Sequence, residues 1–452
     1  MNILYIESQY PHMLYVNESF AEQFQVRPQR LLLQLGSWRR EVRVIVKKDL
    51  PENTIGLSAQ LKKSFTLPSS LDYDIRVEGR TVHIGPVIAF VAFVQASEIT
   101  PEILKKVYLD YFRGYQDIKG LVYLCAQDSI HPSSKTISGL FYRPSANGGG
   151  FHKGTFPYPE AVYRRVPIEP KVLNDLVQHT GDKIFNSYFS EDHFDKWEMW
   201  RWLSSHAKLR EHLPYTTLLT GLPSVQESFS RFETLYLKPR INNMSKGIIK
   251  AVKEGDDYLF FLQVRDKSAR PYTLKRMDSS AAAEFLNKLA RKGYIVQKGL
   301  QAPLHEERTM DFRIILQKNS SKRWECNGVF ARFGKKKSFV SNFTLAGYAM
   351  HGEAAIKTVL RMDEAAVKQK VKELVEISTL ACEVLEAAGG HYADTGVDAM
   401  IDDSGKIWIM EINVLPFHDF PLHAKADDVY RRVVAAPLSY AKTLTVFGGN
   451  RA

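Results

Sequence analysis

An α+β, multidomain fold is what this sequence predicts, on three observations. The chain has 452 residues with 44% hydrophobic content, enough for several cores at roughly 150 residues per domain. Short β segments bounded by turn residues fill its first part. Strand-like and helix-like patterns then alternate over most of the remainder, without repeats or low-complexity tracts. The expected division is a small β-rich domain over residues 1–85, an α/β domain over 86–194, a larger domain over 195–425 and a tail over 426–452.

Composition narrows the class. Charged residues at 25% and aromatics at 12% exclude a mostly disordered chain. The start, MNILYIESQY, lacks the cationic and apolar stretches of a secretory signal. The longest apolar stretch, IGPVIAFVAFV at 84–94, falls short of the ~20 residues a bilayer helix needs and reads as a buried strand. Cys125, Cys326 and Cys382 are widely spaced and form no metal-ligand pattern, which suits packed thiols in a reducing compartment. The expectation is a cytoplasmic protein with no membrane partner.

A formal charge of +11 raises three anionic partners: a polyphosphate ligand, a nucleic acid or an anionic surface. The charges are scattered in pairs, Arg39-Arg40, Lys47-Lys48 and Arg164-Arg165, with one triplet, Lys335-Lys336-Lys337, expected at a hairpin tip. No RRM, KH or helix-turn-helix fingerprint accompanies them, so a solvated basic surface is favoured over specific nucleic-acid binding.

In the first part, VRVIVKK, YDIRVEG and TVHIG read as strands, with turns at PENT and EGR. EILKKVYLDYFRGY has helical spacing, GLVYLCA and GLFYR read as buried strands, and SANGGGFHKG reads as a flexible loop. After GDKIFNSYF a helix is expected at about 195–206, packing Trp197, Trp200 and Leu203 on one face.

The chemistry concentrates downstream. TLYLKP ends a strand at Lys238, passes through INNMSKG and resumes at IIKAV. A cation beside a tight turn can hold phosphate oxygens, although strand-end lysines are commonly just solvated. YIVQKGL and DFRIILQ are further strands, and Asp311 and Arg313 share a face in the second. Arg313 is either a clamp on phosphate or carboxylate, or the partner of Asp311 in a structural pair. WECNGVFARF, with Arg332, and SFVSNF, with Asn342, are expected to form a hairpin that brings a second arginine to that face. A long helix then starts at an Asp363 cap and ends before Gly389-Gly390, with Val367, Val371, Leu374, Ala381 and Leu385 as its core stripe.

GVDAMIDDSGKIWIMEINVLP reads as two strands joined at DDSGK. If Asp402 opposes Ile407, Asp398 lies opposite Glu411, and Asn413 projects from the same face. Crowded carboxylates repel unless a cation sits between them, and hard oxygens suit Mg²⁺ completed by water and phosphate. A solvent-facing hairpin is the competing reading. His418 and His423 lack clean ligand spacing and read as ordinary hydrogen-bonded histidines.

In this order, DKW, YLKP, VQKGL, DFRIILQ, VFARF to SNF and D-x12-E-x-N, the segments resemble the YheC/YheD-type endospore coat-associated ATP-grasp family. The resemblance covers nearly the whole chain, IGPVIAF and FPYPEAVYRRVP included. It implies an α/β pre-ATP-grasp domain followed by an ATP-grasp fold with nucleotide between two lobes. It places adenine against Gln297, Lys298, Gly299 and Leu300, and ATP phosphates on Lys238 near Gly247. Arg313 and Arg332 would meet the γ-phosphate or the transferred group, and Asp398, Glu411 and Asn413 would hold Mg²⁺. The implied activity is carboxylate–amine ligation through an acyl phosphate, on a peptide-like or spore-envelope substrate, with spore-coat proteins as partners. INNMSKG keeps Gly247 but has Asn242, Asn243 and Ser245 where glycine is usual. That departure sustains the alternative of a non-catalytic ATP-binding, coat-associated protein.

Overall fold

The computed structural model describes every residue except 28, 64, 146–148, 189–193, 242–245, 265–271, 342–346 and 449–452. The chain separates into two compact units: Met1–Ser187 with Lys318–Arg323 and Val434–Ala452, and Tyr188–Gln317 with Trp324–Val433.

The first unit holds two sheets. A seven-stranded sheet runs, in spatial order, Asn2–Ile6, Thr54–Ser58, Met13–Val16, Trp38–Val46, Arg30–Leu35, Thr81–Gly85 and Asp74–Glu78. The second is centred on Val87–Phe93, paired in parallel with Leu121–Ala126 and Ala161–Arg164. All seven side chains of Val87–Phe93 are buried, as a strand covered on both faces requires, and this explains its unbroken apolar sequence. Two expectations change here. The end of the SANGGGFHKG segment, expected as a flexible loop, belongs from Gly150 onward to the strand Gly150–Pro157, paired antiparallel with Thr136–Arg143; residues 146–148 of that segment lie outside the described ones. The stretch from 101 is not one regular helix but short pieces, Pro101–Ile103, Leu104–Tyr108, Leu109–Phe112 and Tyr115–Ile118.

The second unit is also built on two sheets. The antiparallel sheet Thr216–Leu218, Tyr294–Lys298, Thr234–Pro239, Ile249–Glu254, Asp257–Gln263, Tyr272–Met277 buries Leu235, Leu237, Ala251 and Phe260 against the helices Leu222–Phe229 and Ser279–Arg291. The other sheet runs Tyr348–His351, Trp324–Phe333, Arg308–Lys318, Asp394–Ile401, Ile407–Asn413. It packs on the helices Lys196–Ser205 and Glu364–Ala387 through Phe312, Ile314, Leu374, Ile377 and Val397. Both helices start on side-chain caps: Asp195 accepts from Trp197 N and Asp363 from Ala366 N, each satisfying a backbone donor that has no partner within the helix.

The expected hairpin of WECNGVFARF with SFVSNF does not form. Phe330–Phe333 pairs with Tyr348–His351 instead, while Gly334–Ser341 is an irregular connection and Asn342 lies outside the described residues. The Lys335–Lys337 triplet sits in a turn at the start of that connection, where Lys337 has φ 61°. Residues 427–443, expected within a tail, are helical. Among the described residues no helix is long and apolar enough to cross a membrane.

Candidate active site

Alternation along four neighbouring segments decides which side chains face the cleft of the second unit. Met310, Phe312, Ile314 and Leu316 enter the core, so Asp311 and Arg313 face the other way. Ala331 and Phe333 do the same for Arg332, and Val397, Ala399 and Ile401 for Asp398. In the other sheet Leu235 and Leu237 are core, leaving Tyr236 and Lys238 to the cleft. The resulting cavity measures about 2040 Å³.

The strand Ile407–Asn413 needs a different device. Ile407 and Ile409 are core residues, and strict alternation would send Glu411 and Asn413 after them. Across the sheet Ile401 pairs with Ile407 and Ala399 with Ile409, but Asp398 pairs with Glu411. Met410 is therefore an extra residue, a β-bulge that shifts the phase by one. Beyond it Ile412 and Val414 are the core residues. The expected pairing of Asp402 with Ile407 is incorrect, because Asp402 lies in the turn and accepts from Ser404 N, Lys406 N and Trp408 Nε1. Asp398 still faces Glu411, and the bulge is the reason.

Charges in the cleft are interlocked. Arg313 donates to both oxygens of Asp398, Nε–Oδ1 at 2.6 Å and Nη2–Oδ2 at 3.2 Å. Arg332 donates to Asp311 at 2.6 Å through Nε and again at 2.6 Å through Nη2, and Nη2 also lies 3.1 Å from Asp398 Oδ2. The expected Asp311–Arg313 pair is thus replaced by two cross-strand pairs, with Ser341 Oγ also donating to Asp311. Burial disfavours the Asp398 carboxylate, but Arg313 and Arg332 outweigh it and hold the pKa below the usual range. Burial likewise opposes charge on Arg332, and Asp311 and Asp398 raise its pKa nonetheless. Room for Arg313 comes from Gly396, where a Cβ would sit 2.9 Å from Arg313 Cδ.

On the opposite wall, Lys238 Nζ donates to Gln297 Oε1 at 2.6 Å and Gln297 Nε2 donates to Thr216 Oγ1 at 3.0 Å. Burial pushes the Lys238 ammonium down to about 8, against the pull of Glu411 and helped by Lys196. Lys298 and Gly299 are locked by their backbone: Lys298 N donates to Tyr215 O at 2.8 Å and Gly299 N to Thr234 O at 2.7 Å. A Cβ on Gly299 would lie 2.8 Å from that same Thr234 oxygen, so only glycine fits. The Lys298 ammonium lies over Phe232 and Trp408, 5.5 and 5.3 Å from the ring centroids, and Leu300 lines the cleft. Gly247 has φ +75° and its carbonyl accepts from Tyr294 Oη at 3.2 Å; Asn242, Asn243 and Ser245 of the same loop lie outside the described residues.

Sequence reasoning missed Lys196, the first residue after the Asp195 cap, whose Nζ lies 3.1 Å from Glu411 Oε1. DKW was legible as a helix start, but only the fold brings that lysine to the carboxylates. It also missed Phe420, which packs against both cleft arginines. His418 Nε2 donates to Asp394 Oδ1, 2.9 Å away in the interior, and His423 pairs with Asp419 at 3.4 Å.

Endospore coat-associated protein YheD of Bacillus subtilis (strain 168) is 25% identical over 407 residues, 87% of this chain and 86% of the relative. YheC of the same organism is 23% identical over 227 residues, 49% of this chain and 60% of its own length. Among solved structures, the ATP-grasp ligase PsnB with its minimal precursor aligns over 80% of this chain and 100% of its own at 11% identity and a TM-score of 0.47. VanG D-Ala:D-Ser ligase from Enterococcus faecalis aligns over 78% and 98% at 10% identity and a TM-score of 0.43. Residues 182–444, more than half of the sequence, match the family described as YheC/D like ATP-grasp, and the chain belongs to that family, with the α+β, multidomain class that its residues predict and the ATP-grasp fold that the resemblance implies.

Proposed function

We propose that this protein is a Mg²⁺- and ATP-dependent ligase that joins a carboxylate to an amine through an acyl phosphate, acting on a peptide-like or spore-envelope substrate in the cytoplasm or at the spore coat. One observation carries the reading: Lys196, Lys238, Arg313 and Arg332 share a single cleft with Asp398, Glu411 and Asn413. Cations beside paired carboxylates suit a polyphosphate that arrives with a metal. Adenine would lie against Gln297–Leu300, with Lys238 and Gly247 toward the phosphates and Arg313 and Arg332 toward the transferred group.

The donor set fits Mg²⁺ in kind. Asp398 and Glu411 face each other across two strands, and Asn413 lies opposite Gly396, next along the face. Among the described residues no group of three His, Cys, Asp or Glu side chains could hold a metal alone. Two carboxylates and an amide instead match a cation that keeps water and substrate phosphate as ligands. Once bound, the ion would neutralise phosphate charge as the phosphoryl group is transferred.

This chain's own groups account for the remaining chemistry. Positioning and electrostatics dominate phosphoryl transfer: the arginines would aim at the transferred phosphoryl while a substrate carboxylate oxygen attacks phosphorus and ADP leaves. An amine nitrogen would then attack the acyl carbon, the C–O bond to phosphate would break, and the departing phosphate would carry away the proton that the amine loses. Glu411→Gln with Asn413→Ala is expected to weaken Mg²⁺-dependent ATP binding without unfolding the protein. Calorimetry with and without Mg²⁺ checks this, and unchanged metal-dependent affinity in the folded variant rules out the metal assignment.

Affinity should also fall as pH rises through about 8, where Lys238 discharges. The effect on stability has the opposite sign. Between about 8 and the ordinary 10.5 the unfolded chain binds more protons at this residue, so stability rises with pH across that window. Calorimetric titrations from neutral to alkaline pH test the binding effect, with Lys238→Met expected to flatten the profile.

A second reading, a nucleotide-binding coat protein without turnover, is favoured by one feature. Asp398 is held by Arg313, Arg332 and Asn413 Nδ2, so a metal has to displace these donors. Release of ADP and phosphate on adding mixed amino acids and peptides separates the readings. Tight ATP binding with no such release favours the second.

A further inference from the structure

Phe420 is only 7% exposed, yet it lies in neither of the unit's large apolar clusters. Its ring packs against the two cleft arginines. The guanidinium carbon of Arg313 is 4.5 Å from the ring centroid and that of Arg332 is 5.6 Å. Arg313 spends Nε and Nη2 on Asp398, and Arg332 spends Nε and Nη2 on Asp311 and Asp398, which fixes one edge of each guanidinium and leaves Nη1 for another acceptor. The face of each planar cation also needs cover, and an aliphatic neighbour would desolvate it without compensation. The negative face of an aromatic ring compensates it and restricts the orientation of the plane. Phe420 opens the turn Phe420–His423, whose Pro421 carbonyl accepts from Ala426 N at 2.8 Å. Leu415, Phe417 and His423 of the same segment line the cleft.

We propose that Phe420 is a positioning residue that orients the Arg313 and Arg332 guanidiniums toward the terminal phosphate of a bound nucleotide and ties that orientation to the Leu415–His423 wall of the cleft. The proposal rests on the nucleotide reading above and adds a residue that acts through the two arginines. Its signature is selective: contacts to the α- and β-phosphates are untouched, whereas discrimination for the terminal phosphate depends on the ring.

The test compares Mg²⁺ complexes of ADP and of a non-hydrolysable ATP analogue by calorimetry, in wild type, Phe420→Leu and Phe420→Tyr. Wild type should prefer the triphosphate. Phe420→Leu should lower the triphosphate-to-diphosphate affinity ratio about fivefold, the factor one cation–π contact supplies, with ADP affinity unchanged. Phe420→Tyr, which keeps the ring, should retain the ratio. An unchanged ratio in folded Phe420→Leu overturns the proposal, and so does an equal loss for both nucleotides, the mark of a merely structural role. If Phe420→Leu does not fold, a ring-fluorinated phenylalanine at position 420 keeps the shape while weakening the negative face. It must lower the same ratio, and no change overturns the proposal. A wild type that binds neither nucleotide defeats the nucleotide reading and this inference together, whereas a discriminating wild type with an equally discriminating variant defeats this inference alone.

Discussion

Arg313→Ala is expected to slow phosphoryl transfer about a hundredfold while weakening ATP binding far less. A preorganised donor aimed at developing charge commonly contributes ~3 kcal/mol to the transition state. Arg313 is preorganised in three ways: Asp398 grips its edge, Phe420 covers its face, and Gly396 leaves the space it occupies. Ground-state affinity also draws on Lys238, Lys196 and the 297–300 segment, so it should survive. Asp398 keeps Arg332 and Asn413 as partners in the variant, so the fold should survive too. Single-turnover kinetics beside calorimetry checks the prediction once an acceptor is found. Equal rates for wild type and variant would remove Arg313 from the chemistry.

Arg332→Met should act on stability before it acts on anything else. Asp311 is buried and takes both of its arginine hydrogen bonds from this residue, leaving only the Ser341 hydroxyl of its described partners. Breaking a buried pair by removing one partner typically costs about 3–5 kcal/mol, because a desolvated charge is left behind. Adding Asp311→Asn removes that charge, so the double variant should recover most of the loss. The pH dependence carries the same signature. Arg332 helps hold the Asp398 pKa down, and the stability gained from a depressed carboxyl is lost as pH falls through its folded pKa. Without Arg332 that loss should begin at a higher pH. Urea unfolding of the single and double variants across acidic pH measures both effects. A single variant as stable as wild type would show that the pair is dispensable.

Much of this site was legible in the sequence. Period-two alternation put Asp311 and Arg313 on one face, and the Asp363 cap and the DKW start marked both helices that the sheet packs on. Partner choice was not legible, because in-strand neighbours such as Asp311 and Arg313 lie closer in sequence than the cross-strand pairs that actually form. Lys196 was hidden for a similar reason: a lysine at the start of a helix looks solvated until the fold brings Glu411 to it. The failed hairpin at Arg332 has a physical origin as well. Gly334 and the lysine triplet suit a tight turn, but the strand's edge was claimed by Tyr348–His351, farther along the chain.

The bulge at Met410 bears on how the D-x12-E spacing can vary. The two arms between Asp398 and Glu411 are unequal, and the surplus residue on the second arm sets their relative phase. A residue gained or lost in the Asp402–Lys406 turn is absorbed where the chain already reverses and is held by its own hydrogen bonds. Losing Met410 would straighten the ladder with Glu411 still opposite Asp398, whereas keeping it as a regular ladder residue would turn Glu411 inward and Ile412 outward. Spacing in this stretch is therefore two independent quantities, the length of the turn and the presence of the surplus residue, and relatives that preserve the carboxylate face can differ in either, provided a surplus residue is bulged out of the ladder.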